Sequence, residues 1–399
     1  MKFELSQEPL LPIESHVCIA RTRRDEAPQM LEMAMLDPDM ANRFMRLFYL
    51  FQGTQQEDFS LEMQSKALNL RQTYRLQTHA KKPGLRLLAL CAPGDMRENC
   101  PLDYLVEGQA IQLELLYVMP QGSAPQSIPD HDVAIVAMGY SKKNAPLLQT
   151  LCEWAMHWPR PMLNHPFWVL SCERQRAYHL LKDIPGLVMA RQDRHSRQTL
   201  LSSAHASQAH LASNALPLNL PLTIRPCELH AGIAFELIES HQALEHYLNQ
   251  HIEPEFYVSP YLDYQSEDQQ FRKFRLCLIQ GVPYISHLAV SKHWVVHYKS
   301  AEMELDEHKK SEEKWFMESF EDRIARPFAA IFREIYRLIP LDYMVLDCAL
   351  SPMGKLIVFE IDNSAWVHDT DPEELFPYKK AIMKKTFDAF YQLLKRQEC

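Results

Sequence analysis

LDYMVLDCALSPMGKLIVFEIDN, residues 341–363, reads as two apolar strands around a turn at Pro352, Met353, Gly354 and Lys355. Folding the segment at the middle of that turn sets Asp347 directly opposite Glu360. Opposed carboxylates repel across a strand pair, so a sheet has no structural reason to place them there. A divalent cation between them reverses the sign of that interaction. Asp362, two residues past Glu360, faces the same side if the strand continues. Acids grouped on one face suit Mg2+ or Mn2+, which take hard oxygen ligands and leave positions open for substrate phosphates. The plainer alternative is a set of solvated acids on an outer sheet face. The apolar neighbours Val345, Leu356, Val358 and Phe359 argue against full exposure.

The chain around this segment has 399 residues, enough for two or three domains or one multi-lobed enzyme. Hydrophobic and charged contents of 47% and 23% are those of an ordinary soluble globular protein. A net charge of −9 argues against a dedicated nucleic-acid binder. No run approaches the length of a membrane span, and MKFELSQEPL at the start lacks the apolar core of a signal peptide. Nine scattered cysteines with no CxxC fit reduced thiols. The expectation is a cytoplasmic protein without membrane or nucleic-acid partners, with room for a homodimer. Only 10 glycines are present, so a phosphate-binding loop here is not richly glycine-built.

Residues 1–81 read as a helical extension. The basic RTRR at Arg21 to Arg24 reads as a solvated end, and two apolar stripes follow. Met33, Met40, Phe44, Leu47, Phe48 and Phe51 form the first; Phe59, Met63, Ala67, Leu70 and Tyr74 form the second. Together they predict a helical hairpin whose stripes serve core packing before partner binding. Residues 82–166 change texture: LRLLALCAP, IQLELLYV and HDVAIVAMG are strand-like and alternate with helical segments, which indicates a parallel α/β sheet. Loops after the carboxyl ends of such strands are the usual ligand positions. Asp95, Glu98, Asn99 and Ser141 to Asn144 are candidates on that ground, and equally ordinary polar loop residues.

Residues 167–399 open with a helix from Phe167 to Leu181. His195, His205 and His210 match no compact metal-ligand spacing and read as solvated. LPLTIRP ends in Arg225 shortly before a turn at His230, Ala231 and Gly232, an arrangement suited to an anion and also to a plain hairpin with a surface arginine. FYVSPYLDY is a strand broken by Pro260, and a broken edge leaves backbone groups where a flat base could bind. Lys273 and Arg275 in FRKFR alternate with apolar residues and so share a face; with the acids at Asp347 and Glu360 they suggest one anionic ligand held between, or else a salt-bridged sheet surface. In HWVVH, Val295 and Val296 favour strand over helix, leaving His293 and His297 as substrate or phosphate contacts. Glu312 to Leu338 reads as a long helix, and Tyr378 to Leu394 as the last one.

In this order the pieces resemble the ATP-grasp superfamily over about residue 82 to the end. MLNHP, RP–HAG, FRKFR, HLAVS–HWVVHY, LDCAL and VFEIDN look like a branch sometimes associated with tetratricopeptide repeats. The resemblance implies an ATP-grasp fold of α/β and α+β class. A parallel lobe over 82–166 would precede an ATP-grasp domain over 167–399, divided into a smaller lobe, 167–257, and a metal-binding lobe, 258–399. It further implies ATP clasped between lobes with Mg2+ or Mn2+ on its phosphates. A carboxylate is phosphorylated and an amine or thiol displaces the phosphate. Carried onto this chain, Arg225 would hold the α- and β-phosphates where many relatives use lysine. His230 and Gly232 would cover the phosphates, and Ser259 and Tyr261 would meet the adenine. Lys273 would lie beside the nucleotide, and Arg275 would steady the acyl phosphate and tetrahedral states. Asp347 and Glu360, with Asp362 or Asn363, would bind metal. Relatives commonly show E-x-N where this chain reads Glu360-Ile361-Asp362-Asn363.

The residue chemistry agrees without the family: phosphoryl transfer asks for positioning and charge neutralisation, and the chain shows no GxSxG nucleophile motif. The expected activity is an ATP-dependent, ADP-forming ligase acting on a small molecule or peptide. The alternatives are a degenerate ATP-binding module that uses its helical extension to engage a partner, and an ATP-grasp kinase.

Overall fold

The computed structural model describes residues 3–6, 12–13, 27–54, 56–77, 84–120, 125, 127–206, 219–227, 232–298 and 300–397. The tetrapeptide Arg21 to Arg24, His210, Ala231 and the candidate site residue His230 lie outside them. The class is mixed: a mostly parallel α/β lobe stands beside two antiparallel sheets with helices. Among the described residues no helix is long and apolar enough to cross a membrane.

The five-stranded sheet carries the segment that opened the sequence reading. Its order is Val282–Ser291, Phe271–Ile279, Tyr343–Leu350, Leu356–Asp362, Leu187–Val188. The first four are antiparallel neighbours and the last joins in parallel. Tyr343–Leu350 is buried along almost its whole length, as an apolar central strand covered on both faces must be. The turn after it is closed by Gly354, at φ +73, donating to the Ser351 carbonyl at 2.8 Å.

The register has a fault in it that matters. Leu350 pairs with Leu356 and Cys348 with Val358, but Asp347 pairs with Glu360. Phe359 is therefore an extra residue on its strand, a β-bulge. Continued without the bulge, the pairing would set Leu346 against Glu360 and turn the glutamate to the other face. With it, Asp347 and Glu360 share a face as expected, through the bulge and not through the turn, which is centred on Met353. A second bulge lies on the neighbouring pair, where Arg275 opposes His287 while Leu276 opposes Ile285.

The smaller sheet has the order Asp193–Ser196, Glu255–Pro260, Leu222–Pro226, Glu236–Ile238, all antiparallel. It has a core of its own: Leu222, Ile224, Phe256 and Val258 pack with Leu200, Leu244 and Tyr247 from helices Arg197–Ala206 and His241–Gln250. The expected edge is corrected in part. Glu255–Pro260 is interior as far as Val258, because Asp193–Ser196, too polar to read as a strand, pairs along its outer side to that point; Ser259 and Pro260 pair with Thr223 and Leu222 alone.

The parallel lobe orders its strands Pro12–Ile13, Thr73–Leu76, Ile111–Tyr117, Leu85–Cys91, Val133–Val136, Met162–Leu163. The last four run parallel to their neighbours; Thr73–Leu76 runs antiparallel. The second helical stripe therefore stops earlier than its spacing suggests. Its helix ends at Leu70, and Tyr74 sits in the Thr73–Leu76 strand with its hydroxyl donating to the Ala67 carbonyl at 2.8 Å. Other expected helices are also divided. Pro38 separates Ala27–Leu36 from Met40–Gly53, whose N-terminus Asp39 caps by accepting from the Ala41 and Asn42 amides. Glu173 caps a fresh helix, Arg174–Leu181, inside the expected Phe167 to Leu181. Pro327 interrupts Glu312 to Leu338, leaving Glu307–Glu318 and Ala329–Leu338 around a wide turn of π-helix.

Candidate functional site

The shared face of the large sheet is where charge gathers. Lys273 and Arg275 alternate on one strand, and Arg275 lies opposite Asp347 on the next. Arg275 donates through Nε and Nη2 to Asp347 at 2.8 and 3.2 Å, and Lys273 Nζ adds a third bond at 3.0 Å. Asp347 is only 7% exposed. Burial by itself would raise its carboxyl, but Arg275 and Lys273 outweigh burial and hold it well below the usual carboxylate range.

Glu360 takes a different cation. Arg174, the first residue of its helix, pairs with Glu360 Oε1, and Arg225 on the small sheet adds its field. Burial pushes Glu360 up, and the two arginines bring it below its ordinary value. Arg225 is pulled down to about 10 by burial and by Arg174. Asp362 moves the other way. Burial and the neighbouring Glu360 charge raise it, although Ser364 donates to its Oδ1 through backbone N–H and hydroxyl at 2.7 and 2.8 Å. Burial and Glu360 thus outweigh Ser364 and Arg275, and the ionised form of Asp362 is disfavoured.

Asn363 has a different position from these acids. It is fully buried, and its Nδ2 donates to the Met138 and Val136 carbonyls of the parallel lobe at 2.9 and 3.4 Å. A second asparagine makes a matching join: Asn164, at φ +51, exchanges bonds with Tyr343, donating at 2.8 Å and accepting at 2.9 Å. Gly139 completes the contact, because a Cβ there would come within 2.1 Å of Ser364 Oγ. The parallel lobe is therefore fixed against the end of the acid-bearing strand.

Other candidates fall into place around this cluster. Ser259 is buried, its carbonyl accepts from Thr223 Oγ1 at 3.4 Å, and the Tyr261 amide is taken by Pro221 at 3.3 Å. These bonds all run to the Leu222–Pro226 side, and the outer partner strand ends opposite Val258. Tyr261 sets its ring edge-on to Trp294 at 5.7 Å, and Phe235 meets Trp294 at 5.0 Å. Gly232, at φ +72, lies against His297. The residues from Lys292 to Tyr298 are bends and turn, which corrects the expected strand there. In the parallel lobe Asn99 bonds both the amide and carbonyl of Ala92, Asn144 donates to Glu98 Oε2 at 2.7 Å, and Asp95 caps a short turn. These loop residues tie their loops together. His205 pairs with Glu245 at 3.1 Å, away from any metal-like grouping. Among the described residues no three His, Cys, Asp or Glu side chains group so as to hold a metal ion by themselves.

No family model and no curated protein matches this chain. Similar solved structures include a RimK domain ATP-grasp protein from Sphaerobacter thermophilus, 13% identical over 77% of this chain and 98% of that one, TM-score 0.43. D-alanyl-alanine synthetase A from Vibrio cholerae is 9% identical over 79% of this chain and 98% of its own, TM-score 0.47. D-alanine–D-alanine ligase from Bacillus anthracis, complexed with ATP, is 10% identical over 79% and 97%, TM-score 0.41.

Two contributors escaped the sequence reading. Arg174 starts a helix in a stretch with no strand pattern to place it, and only tertiary packing brings it to Glu360. Trp366 joins through its main chain, its carbonyl accepting from Arg275 Nη1 at 3.1 Å. His287, opposite Arg275, is driven well below its ordinary range by burial and by Arg275, so it stays neutral beside that cation. In sum, Arg174, Arg225, Lys273 and Arg275 surround Asp347, Glu360 and Asp362, leaving one positive charge in excess. A cluster so charged favours an anion over a bare metal ion.

Proposed function

We propose that this chain is an ATP-dependent ligase of the ATP-grasp type, joining a carboxylate to an amine or thiol. The observation that carries the reading is the pair Asp347 and Glu360, held on one face by a bulge and ringed by cations from both antiparallel sheets. A triphosphate complements that surplus of positive charge. Mg2+ is usually held by one or two carboxylates together with substrate phosphates, not by a cage of protein ligands alone.

The Glu360 charge that helps to raise Asp362 would be offset by a divalent cation between the two. Glu360 and Asp362 would hold it together with phosphate oxygens, and Asp347, bonded to Lys273 and Arg275, would stand behind them; Asn363, its amide nitrogen pinned to Val136 and Met138, would brace the strand. When bound, the metal supplies neutralisation of phosphate charge. Arg225 would grip the α- and β-phosphates from the small sheet, with the Gly232 turn near them. Tyr261 would flank the adenine. Lys273 and Arg275 would lie along the transferred phosphoryl group. That group passes from ATP to the substrate carboxylate oxygen, its bond to the oxygen bridging the β- and γ-phosphates breaks, and ADP leaves. The amine or thiol then bonds to the acyl carbon, the carbon–oxygen bond breaks, phosphate leaves, and the nucleophile gives up its proton. Arg275 would bear the negative charge of both intermediates.

ADP and phosphate release is measured with pooled carboxylic acids and amines, for the wild type and Asp347→Ala. Release that needs both pools and is lost in Asp347→Ala is the expected result. Release that survives in Asp347→Ala overturns the site assignment. A second reading, an ATP-binding module without turnover, draws on the observation that Asp347 already has its charge met by Lys273 and Arg275. ATP with Mg2+ raising the melting temperature, while no pool releases ADP, would favour it.

A further inference from the structure

Among the described residues several buried polar atoms at and around the cluster have no hydrogen-bond partner, Asn363 Oδ1, Trp366 Nε1 and His297 Nε2 among them, and the last lies nearest the cations of both sheets. The His297 Nε2 atom is buried and has no hydrogen-bond partner. Buried polar atoms left unpaired are rare and are best explained by a missing ligand or water. This one lies at the seam between the two antiparallel sheets. Gly232, from the small sheet, approaches so closely that a Cβ there would sit 2.2 Å from Nε2. The same seam carries Phe235 and Tyr261 against Trp294. The charged groups felt by the ring are Lys273, Arg275 and Asp347 from the large sheet and Arg225 from the small one. The cations among them outnumber the single acid.

We propose that His297 is a phosphate-holding residue of the nucleotide site, its Nε2 donating to a terminal phosphate oxygen of the bound triphosphate. This rests on the ATP-grasp reading above. An anion lying along Arg225 and Lys273 passes the seam and brings the acceptor that Nε2 lacks. The glycine at 232 suits the same geometry: a side chain there would strike the imidazole and close the approach. A neutral imidazole with its proton on Nε2 is sufficient for the bond.

The test compares the affinity of ATP with Mg2+ and of AMP, by calorimetry, for the wild type, His297→Ala and His297→Gln. AMP lacks the terminal phosphates and serves as the internal control. His297→Ala should weaken ATP by roughly tenfold to a hundredfold, the worth of one hydrogen bond to a charged group, and leave AMP unchanged. His297→Gln, which keeps a donor at the end of its chain, should recover most of the loss. Equal losses for ATP and AMP, or a glutamine no better than alanine, overturn the proposal by making the ring a packing element. A wild type that binds AMP and ATP alike overturns it too. If the wild type binds neither nucleotide, the ATP-grasp reading itself is lost; wild-type binding that His297→Ala leaves intact refutes His297 alone.

Discussion

Replacing Asp347 by asparagine should be among the most damaging changes to the large sheet, and it should be partly repaired by an anion. The substitution keeps the shape and removes the charge. Lys273 and Arg275 are then left facing each other with side chains 16% and 24% exposed, and with their three bonds to Asp347 weakened or lost. Removing one partner of a buried ion pair costs about 3–5 kcal/mol, because the remaining charge has neither water nor a counter-ion. The melting temperature should fall on the order of 10 °C. Urea unfolding followed by near-ultraviolet circular dichroism measures the loss. The same two cations, freed of their acid, should bind polyphosphate without metal more strongly than the wild type does. Millimolar tripolyphosphate should therefore raise the melting temperature of Asp347→Asn more than that of the wild type. A loss below about 1 kcal/mol, the range of an exposed pair, together with equal responses to tripolyphosphate, would refute the picture of a closed, charge-balanced cluster.

Arg174→Gln should behave more mildly, since Glu360 is 38% exposed and solvent screens the pair; about 1 kcal/mol or less is expected, with Mg2+ binding more tightly by calorimetry once Glu360 is released. Gly139→Ala should cost about 1–3 kcal/mol through its collision with Ser364, and Gly139→Ala combined with Ser364→Gly should recover most of it in the same urea assay. Stability should also fall on acidification below about pH 6.5. Burial holds His131, His287 and His368 below their ordinary value of 6.5, so the unfolded chain binds more protons than the folded one. Their contribution is present above that value and is lost as the pH falls through it. A melting temperature unchanged between pH 7.5 and 5.5, where this effect operates, would contradict it.

The sequence carried the large sheet well because its strands are continuous apolar runs with a glycine turn between them. The pairing of Asp347 with Glu360 was read correctly for the wrong reason: the turn is centred on Met353, half a residue short of the assumed midpoint, and the unforeseen bulge at Phe359 makes up the difference. Lys273 and Arg275 were legible from alternation alone. The outer side of Glu255 to Val258 was misread for a topological reason: whether a strand is an edge depends on a distant partner, here the polar Asp193–Ser196, whose sequence has no apolar alternation and which stops short of Ser259. Arg174 could not be placed, because its role comes from a helix docking beside a strand nearly two hundred residues later. The divided helices show prolines prevailing over an apolar rhythm that runs straight through them.

The extra residue at Phe359 decides which way the acids face. Losing it would let the hairpin zip without interruption and still bring Glu360 opposite Asp347, because the bulge does no more than absorb that one residue. Ironing the bulge out with every residue kept is different: Glu360 would slide opposite Leu346, and Glu360 and Asp362 would turn to the other face while Ile361 took their place. Conservative exchanges along that strand leave its sidedness alone; a bulge lost without a lost codon reverses it, and with it the electrostatic character of that face.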